Sequence, residues 1–191
     1  VGQEGGGLDV AVGPPDVADG HDGDAVFAVF GRDLAEGFEG HDDGGLHVGG
    51  VGVASGGDAA GELDVDHGVF EAAAFEADLF VSVHNNALPD GVNPFENHGT
   101  SSFYYHPHSQ RLAAAIHKRM VAAADMPDHG LYHGNLAVNR PTQYPAVLVE
   151  CAFMMLPEHE ARLKTDRLRI TIARAIAAGI DDFLKENADD R

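Results

Sequence analysis

Two short apolar runs end in residues that can do chemistry. Leu79–Val83 (LFVSV) leads to His84 and the pair Asn85 and Asn86, and the stretch PAVLVE ends in Glu150. An imidazole can ligate a metal ion, and a carboxylate can take a proton and give it back. A catalytic zinc takes about three protein ligands from His, Asp, Glu and Cys and keeps one position for water, whose pKa it lowers. On that chemistry His84 is a candidate metal ligand and Glu150 a candidate general acid/base. Each also has a plainer reading, His84 as a hydrogen-bonded core histidine and Glu150 as a structural carboxylate. Together they weigh more than either does alone.

Both residues need strands behind them. Each run is short, partly β-branched and bounded by polar residues, which favours a buried strand over a helix. Ligands and catalytic groups of α/β proteins gather beyond the carboxyl ends of strands, where His84 and Glu150 fall. Between the two strands the pattern gives a loop over Pro89–Gly99, a β-prone run over Thr100–Tyr105 and a helix capped by Ser109 that runs to about Ala124. Leu112, Ile116 and Met120 share one face of that helix. Pro127 and Gly130 end it, and Gly134–Arg140 holds a short strand or turn. Pro157 opens a short helix, PEHEARLK, with proline in its first turn. Asp166 caps a last helix to about Glu186, with Leu168, Ile172, Ile176, Ile180 and Phe183 as its packing stripe. Strands alternating with amphipathic helices imply a single α/β domain.

Residues 1–70 are of another kind. They hold 19 of the 24 glycines and carry 15 acidic residues against one base, Arg32. Ala25–Phe30 is strand-like and His47–Ala54 alternates weakly. A Gly-rich acidic stretch without sustained periodicity offsets its ordering entropy poorly. Three readings stay open for it: a poorly ordered segment, an irregularly packed one, or an out-of-frame or antisense reading of a GC-rich gene, since its dominant residues share codons beginning with G. Residues 71–187 read as ordinary globular sequence.

The formal net charge of -19 argues against nucleic acid or anionic lipid as a partner. Cys151 is the single cysteine, so no intrachain disulfide forms. If its strand continues past Glu150, Cys151 faces the opposite side, as a small buried hydrophobe. No run of about 18 apolar residues spans a membrane, and no basic and apolar leader is visible at the N-terminus. Dinucleotide, P-loop, HExxH, CxxC and nucleophile-elbow motifs are missing from the sequence. Of the twelve histidines, His98, His106, His108, His129 and His133 fall in loops expected around the site, mostly as solvated rim residues. Asn86 is read as a residue that orients the His84 loop. Arg140 is a candidate for holding a substrate carboxylate in a bidentate contact, with a surface ion pair as the alternative.

The stretches ADLFVSVHNNA, HGTSSFYYHPHS, LAVNRPTQYPAVLVECAFMMLPEHEARL and IARAIAAGIDDFL, in that order over residues 77–184, resemble the zinc-dependent N-acetylmuramoyl-L-alanine amidases of the amidase-3 group. That resemblance implies a mostly parallel central sheet flanked by helices. It implies hydrolysis of the amide between N-acetylmuramic acid and L-alanine in peptidoglycan, and a muropeptide substrate met outside the membrane after export. It also implies one zinc ion held by His, Glu and His, with a further Glu as acid/base. His84 matches the last of these ligands and Glu150 the acid/base. The first two ligands match least well. The nearest candidates are His21 in ADGHDGD and Glu36 in DLAEG, where the group's flanking glycines, lysine, helix and T-R-x-x-D strand are absent. The alternative function is an inactive amidase-like remnant or wall-binding module without a complete zinc site. Another zinc hydrolase of similar layout, such as a carboxypeptidase, fits the ordered blocks less well.

Overall fold

A computed structural model of the chain describes residues 77–89 and 91–189, together with the strand segments 11–12, 26–30, 39–40, 46–47 and 51–55. The segments are β1 (Ala11–Val12), β2 (Val26–Phe30), β3 (Glu39–Gly40), β4 (Leu46–His47) and β5 (Val51–Ser55). They are followed by β6 (Leu79–Asn86), β7 (Thr100–Tyr104), α1 (Pro107–Ala124), β8 (Asp128–His133), a single 3-10 turn (Ala137–Asn139), β9 (Ala146–Phe153), α2 (Pro157–Leu163) and α3 (Asp166–Asp189).

The fold is α/β, as the alternation of elements implies. Seven strands form one sheet in the order β1-β8-β7-β9-β6-β2-β5, and β3 and β4 form a separate ribbon. The sheet is mixed. Pairs β6–β9, β7–β8 and β1–β8 are parallel, whereas β7–β9, β2–β6 and β2–β5 are antiparallel.

The apolar alternation of the central strands decides which elements cover which face. Leu79 and Val81 of β6, with Val147, Val149 and Cys151 of β9, pack with α1 and α3 in one large core. Phe80, Phe103, Leu148 and Ala146 point the other way and are covered by Val138 and Tyr144 from the segment before β9. Cys151 is buried on the helix side, and burial raises its thiol pKa. Helices α1 and α3 touch backbone to backbone at Gly179, where a Cβ would come within 2.5 Å of the Ile116 Cα. No larger residue fits there without separating the helices, and overpacking of that kind costs about 1–3 kcal/mol.

Several local expectations change. Strands β6 and β9 run on past His84 and Glu150, so both residues lie within strands and not beyond their ends. Asp166 is the first residue of α3, and the capping acceptor is Thr165, whose Oγ1 accepts the Leu168 N–H at 3.3 Å. Helix α1 begins at Pro107, two residues before Ser109, because proline is favoured in a first turn. Ser109 is fully buried inside the helix and accepts the Ala146 N–H on its Oγ at 3.0 Å, so it ties α1 to β9 instead of capping α1. The C-terminus of α1 ends in a left-handed Asp125 (φ 51), and Arg162 donates to the Asp125 carbonyl at 2.8 Å. A further change is β8, an element that the reading of the sequence leaves out. Its sequence DHGLYH is poor in β-formers, and it is held by parallel pairing to β7. The short element expected over Gly134–Arg140 is the 3-10 turn.

Candidate active site

His84 and Glu150 are brought together by the sheet. They are partners across the parallel β6–β9 ladder, on strands that run about 4.8 Å apart. Both side chains leave the face opposite α1 and α3, because their chain neighbours Val83, Val149 and Cys151 pack on the helix side. Ser101 of β7 lies opposite Glu150 on its other flank, and Ser82, two residues before His84, shares its face. The site is therefore a polar strip, Ser82, His84, Glu150 and Ser101, on a sheet face whose other half is apolar.

The electrostatics follow from burial. With desolvation alone acting on it, the Glu150 carboxyl is pushed up to about 8. Its Oε2 is buried and without a hydrogen-bond partner among the described residues. A buried, unpaired carboxylate is costly and holds its proton more tightly. Desolvation pushes His84 the other way, down to about 4, so its imidazole is neutral at pH 7, the form that ligates a metal ion. A hydrogen bond between Ser82 Oγ and His84 Nε2, 2.6 Å long, fixes the ring. Ser82 and Ser101 are the site residues that sequence reasoning misses. The signal for Ser82 is its i–2 spacing from His84, which in a strand means the same face.

The fit of a metal ion can be tested on these groups. A neutral imidazole beside a buried carboxyl suits a zinc ligand placed next to an acid/base. Among the described residues no group of three His, Cys, Asp or Glu completes such a set. His21 and Glu36, the candidates for the missing ligands, lie outside the described residues.

The other candidates are distributed differently from expectation. Of the five histidines expected in loops, His108 lies in α1 and His129 and His133 in β8, and the five do not surround one site. His98 and His129 lie at the sheet end where β6 and β9 finish, where His98 packs edge-on against His159 at 5.1 Å and His129 against Phe153 at 5.2 Å. His106, His108 and His133 lie at the other end of the sheet. There each Nε2 pairs with a backbone carbonyl, of Arg140 at 2.8 Å, Tyr144 at 3.3 Å and Tyr105 at 2.9 Å respectively. The antiparallel turn of β7 against β9 causes the split, since it sends the end of β7 toward the start of β9. Arg140 sits in the segment that covers the site face. Its Nε donates to Asn135 Oδ1 at 2.9 Å, so its guanidinium is held within its own loop. Asn86 accepts the Met154 N–H on its carbonyl at 3.0 Å and so joins the ends of β6 and β9.

A second constellation could be mistaken for a catalytic one. His117 Nδ1 lies 3.3 Å from Ser102 Oγ, and its Nε2 lies 3.0 Å from Asp128 Oδ1. Serine, histidine and aspartate in line are the elements of acyl transfer. Ser102, however, is completely buried on the helix side of the sheet, where no substrate reaches it. The three residues tie α1 to β7 and β8.

Comparison with known proteins gives the family. A family model described as N-acetylmuramoyl-L-alanine amidase matches residues 47–182, and the chain belongs to that family, the amidase-3 group. The match contains His84 and Glu150 and begins after His21 and Glu36. An uncharacterized cell wall amidase of Bacillus anthracis is 34% identical over 118 residues, 56% of this chain and 21% of that protein. The endolysin of Bacillus phage SPP1 is 38% identical over 118 residues, 60% of this chain and 43% of the endolysin. The chain thus spans less than half the length of either of these curated relatives. Among solved structures, the catalytic domain of CwlV, an N-acetylmuramoyl-L-alanine amidase from Bacillus (Paenibacillus) polymyxa var. colistinus, superposes with a TM-score of 0.58 at 31% identity, covering 64% of this chain and 66% of that one.

Proposed function

We propose that the chain is a zinc-dependent hydrolase of peptidoglycan that cleaves the amide between N-acetylmuramic acid and L-alanine. The observation that carries this reading is the registered pair His84–Glu150, an imidazole kept neutral beside a buried carboxyl with an unpartnered oxygen, in a chain of the amidase family. His84 would hold the metal, joined by His21 and Glu36 as the family resemblance implies. When bound, zinc supplies Lewis acidity to a water and to the scissile carbonyl.

Glu150 does the proton work. It takes a proton from the water that attacks the lactyl carbonyl carbon and returns it to the L-alanine nitrogen as the C–N bond breaks. The products are a muramic acid carboxylate and a peptide with a free amino terminus. A carboxyl whose environment raises its pKa is suited to both halves of that transfer near neutral pH. Ser82 keeps the His84 ring in place through the hydrogen bond at Nε2. Arg140 carries five N–H donors and engages Asn135 with its Nε and one terminal nitrogen, so it keeps donors for a stem-peptide carboxylate. The substrate implies action outside the membrane, and among the described residues no helix is long and apolar enough to cross one.

The test is the identity of the bond cut. Zinc-loaded protein is expected to release stem peptides with free N-terminal L-alanine from purified muropeptides, read by mass spectrometry and amine labelling. Products cut at a glycosidic bond or within the stem peptide, with the lactyl amide intact, would overturn the reading.

A further inference from the structure

Strand β7 begins with three hydroxyl residues in a row, Thr100, Ser101 and Ser102, and all of them are fully buried. A buried hydroxyl without a partner destabilises the fold, so each calls for a reason. Thr100 donates its hydroxyl to the Cys151 carbonyl at 3.0 Å, and Ser102 Oγ lies 3.3 Å from His117 Nδ1. Ser101 differs, since its Oγ is buried and has no partner among the described residues.

The register of the sheet supplies a reason. Ser101 stands opposite Glu150 in the antiparallel β7–β9 ladder and opposite Gly130 of β8 on its other flank. Residues directly opposite each other in an antiparallel ladder turn their side chains to one face, with Cβ atoms about 4.5–5.5 Å apart. A glutamate carboxyl extends far enough from its Cβ to meet a hydroxyl at that separation. Glu150 Oε2 is the other buried oxygen of this rung without a partner among the described residues. The remaining sheet neighbours of Glu150 are poorly suited to it. His84, across the β6–β9 rung, is the candidate metal ligand, and its Nε2 is engaged by Ser82. Leu148 and Ala152 along β9 carry no polar side-chain atom.

We propose that Ser101 is a positioning residue for Glu150, its hydroxyl turning to donate to the ionised carboxylate and to accept from the protonated carboxyl. The proposal rests on the amidase reading above and deepens it. An acid/base that acts twice alternates between two charge states. An ionised carboxylate only accepts hydrogen bonds, whereas a protonated one also donates. A hydroxyl meets both needs, because it carries one donor and two acceptor lone pairs and rotates to suit. A lysine or arginine at the same rung would favour the carboxylate so strongly that the acid half of the transfer would be lost. Serine orients Glu150 in both halves without fixing its charge.

The test pairs kinetics with unfolding. Ser101→Ala removes a single unpartnered oxygen and is expected to leave the fold intact. On muropeptides it is expected to lower kcat about tenfold with KM within about twofold of wild type. In metal-free protein near pH 9, where Glu150 is ionised, Ser101→Ala is expected to raise the unfolding constant about tenfold, read by urea titration. In a Glu150→Met background, which keeps the length of the side chain and lacks the carboxylate, the same substitution is expected to change that constant by less than about twofold. An unchanged kcat in Ser101→Ala, or an equal unfolding effect in both backgrounds, would overturn the positioning role. If the wild type does not cleave the lactyl amide, the amidase reading fails, and the unfolding cycle still decides whether Ser101 holds Glu150.

Discussion

Glu150→Gln is expected to lower kcat on muropeptides by about a thousandfold while the protein stays folded. A positioned acid/base contributes on the order of 10²–10⁴ in rate, and Glu150 is asked to act twice, on the attacking water and on the departing amine. Glutamine keeps the volume and one acceptor oxygen but transfers no proton at neutral pH. The loss is expected in kcat more than in KM, because proton transfer belongs to the transition state. Fold retention follows from burial. The site that Glu150 occupies imposes a desolvation cost on a charge, and a neutral amide of the same shape avoids it. Steady-state kinetics with circular dichroism checks both halves. A variant with near-wild-type kcat would remove Glu150 from the chemistry.

The second large effect is on stability, and its direction depends on pH. In metal-free protein Glu150 ionises near 8, against about 4.5 in an unfolded chain. Between those values the folded state holds a proton that the unfolded state has lost, so stability falls as pH rises. Below 4.5 both states are protonated and there is no cost, and above 8 the cost is at its full value. His84 acts in the opposite sense, since its folded value is near 4 against 6.5 unfolded. Its contribution is complete above 6.5 and is lost as pH falls toward 4. The two effects oppose one another between 4.5 and 6.5, and only Glu150 acts between 6.5 and 8. Each unit of displacement is worth about 1.4 kcal/mol, so the Glu150 cost reaches several kcal/mol by pH 8. Urea unfolding of metal-free protein is expected to show stability falling from pH 6.5 to 8, and Glu150→Gln to flatten that slope. Equal slopes in both proteins would mean that Glu150 ionises as an ordinary carboxylate.

The strands that carry the site are legible in the sequence because they are buried on both faces. LFVSV and PAVLV are short, apolar and bounded by polar residues, and such runs have few other solutions. α1 and α3 are legible for a related reason, since Leu112, Ile116 and Met120, and Leu168, Ile172, Ile176 and Ile180, repeat at helical spacing. β8 is not, because DHGLYH draws its order from pairing with β7 and carries no periodicity of its own. Ser109 shows how a cap signal misleads when proline has already opened the helix.

His84 and Glu150 are legible individually as polar residues that close apolar runs, although β6 and β9 run on past them to Asn86 and Phe153. Their adjacency is a property of sheet order, since 65 positions separate them in the chain and parallel pairing makes them neighbours. The same applies to Ser101, which reaches Glu150 only because β7 runs antiparallel to β9. The division of the histidines between the two ends of the sheet likewise follows from topology, which spacing along the chain does not encode. The ligands expected at His21 and Glu36 stand in a segment whose Gly and Asp repeats offer many equivalent spacings, so pattern there carries little information.

The most direct test of the site is zinc content by elemental analysis, measured on purified wild-type protein and on His84→Ala. One zinc per chain in the wild type, lost in the variant while the fold persists, is the result expected if His84 is a metal ligand completed from elsewhere in the chain. A folded wild-type protein without zinc would contradict it and leave a non-catalytic member of the amidase family, and a variant that keeps its zinc would remove His84 from the metal site.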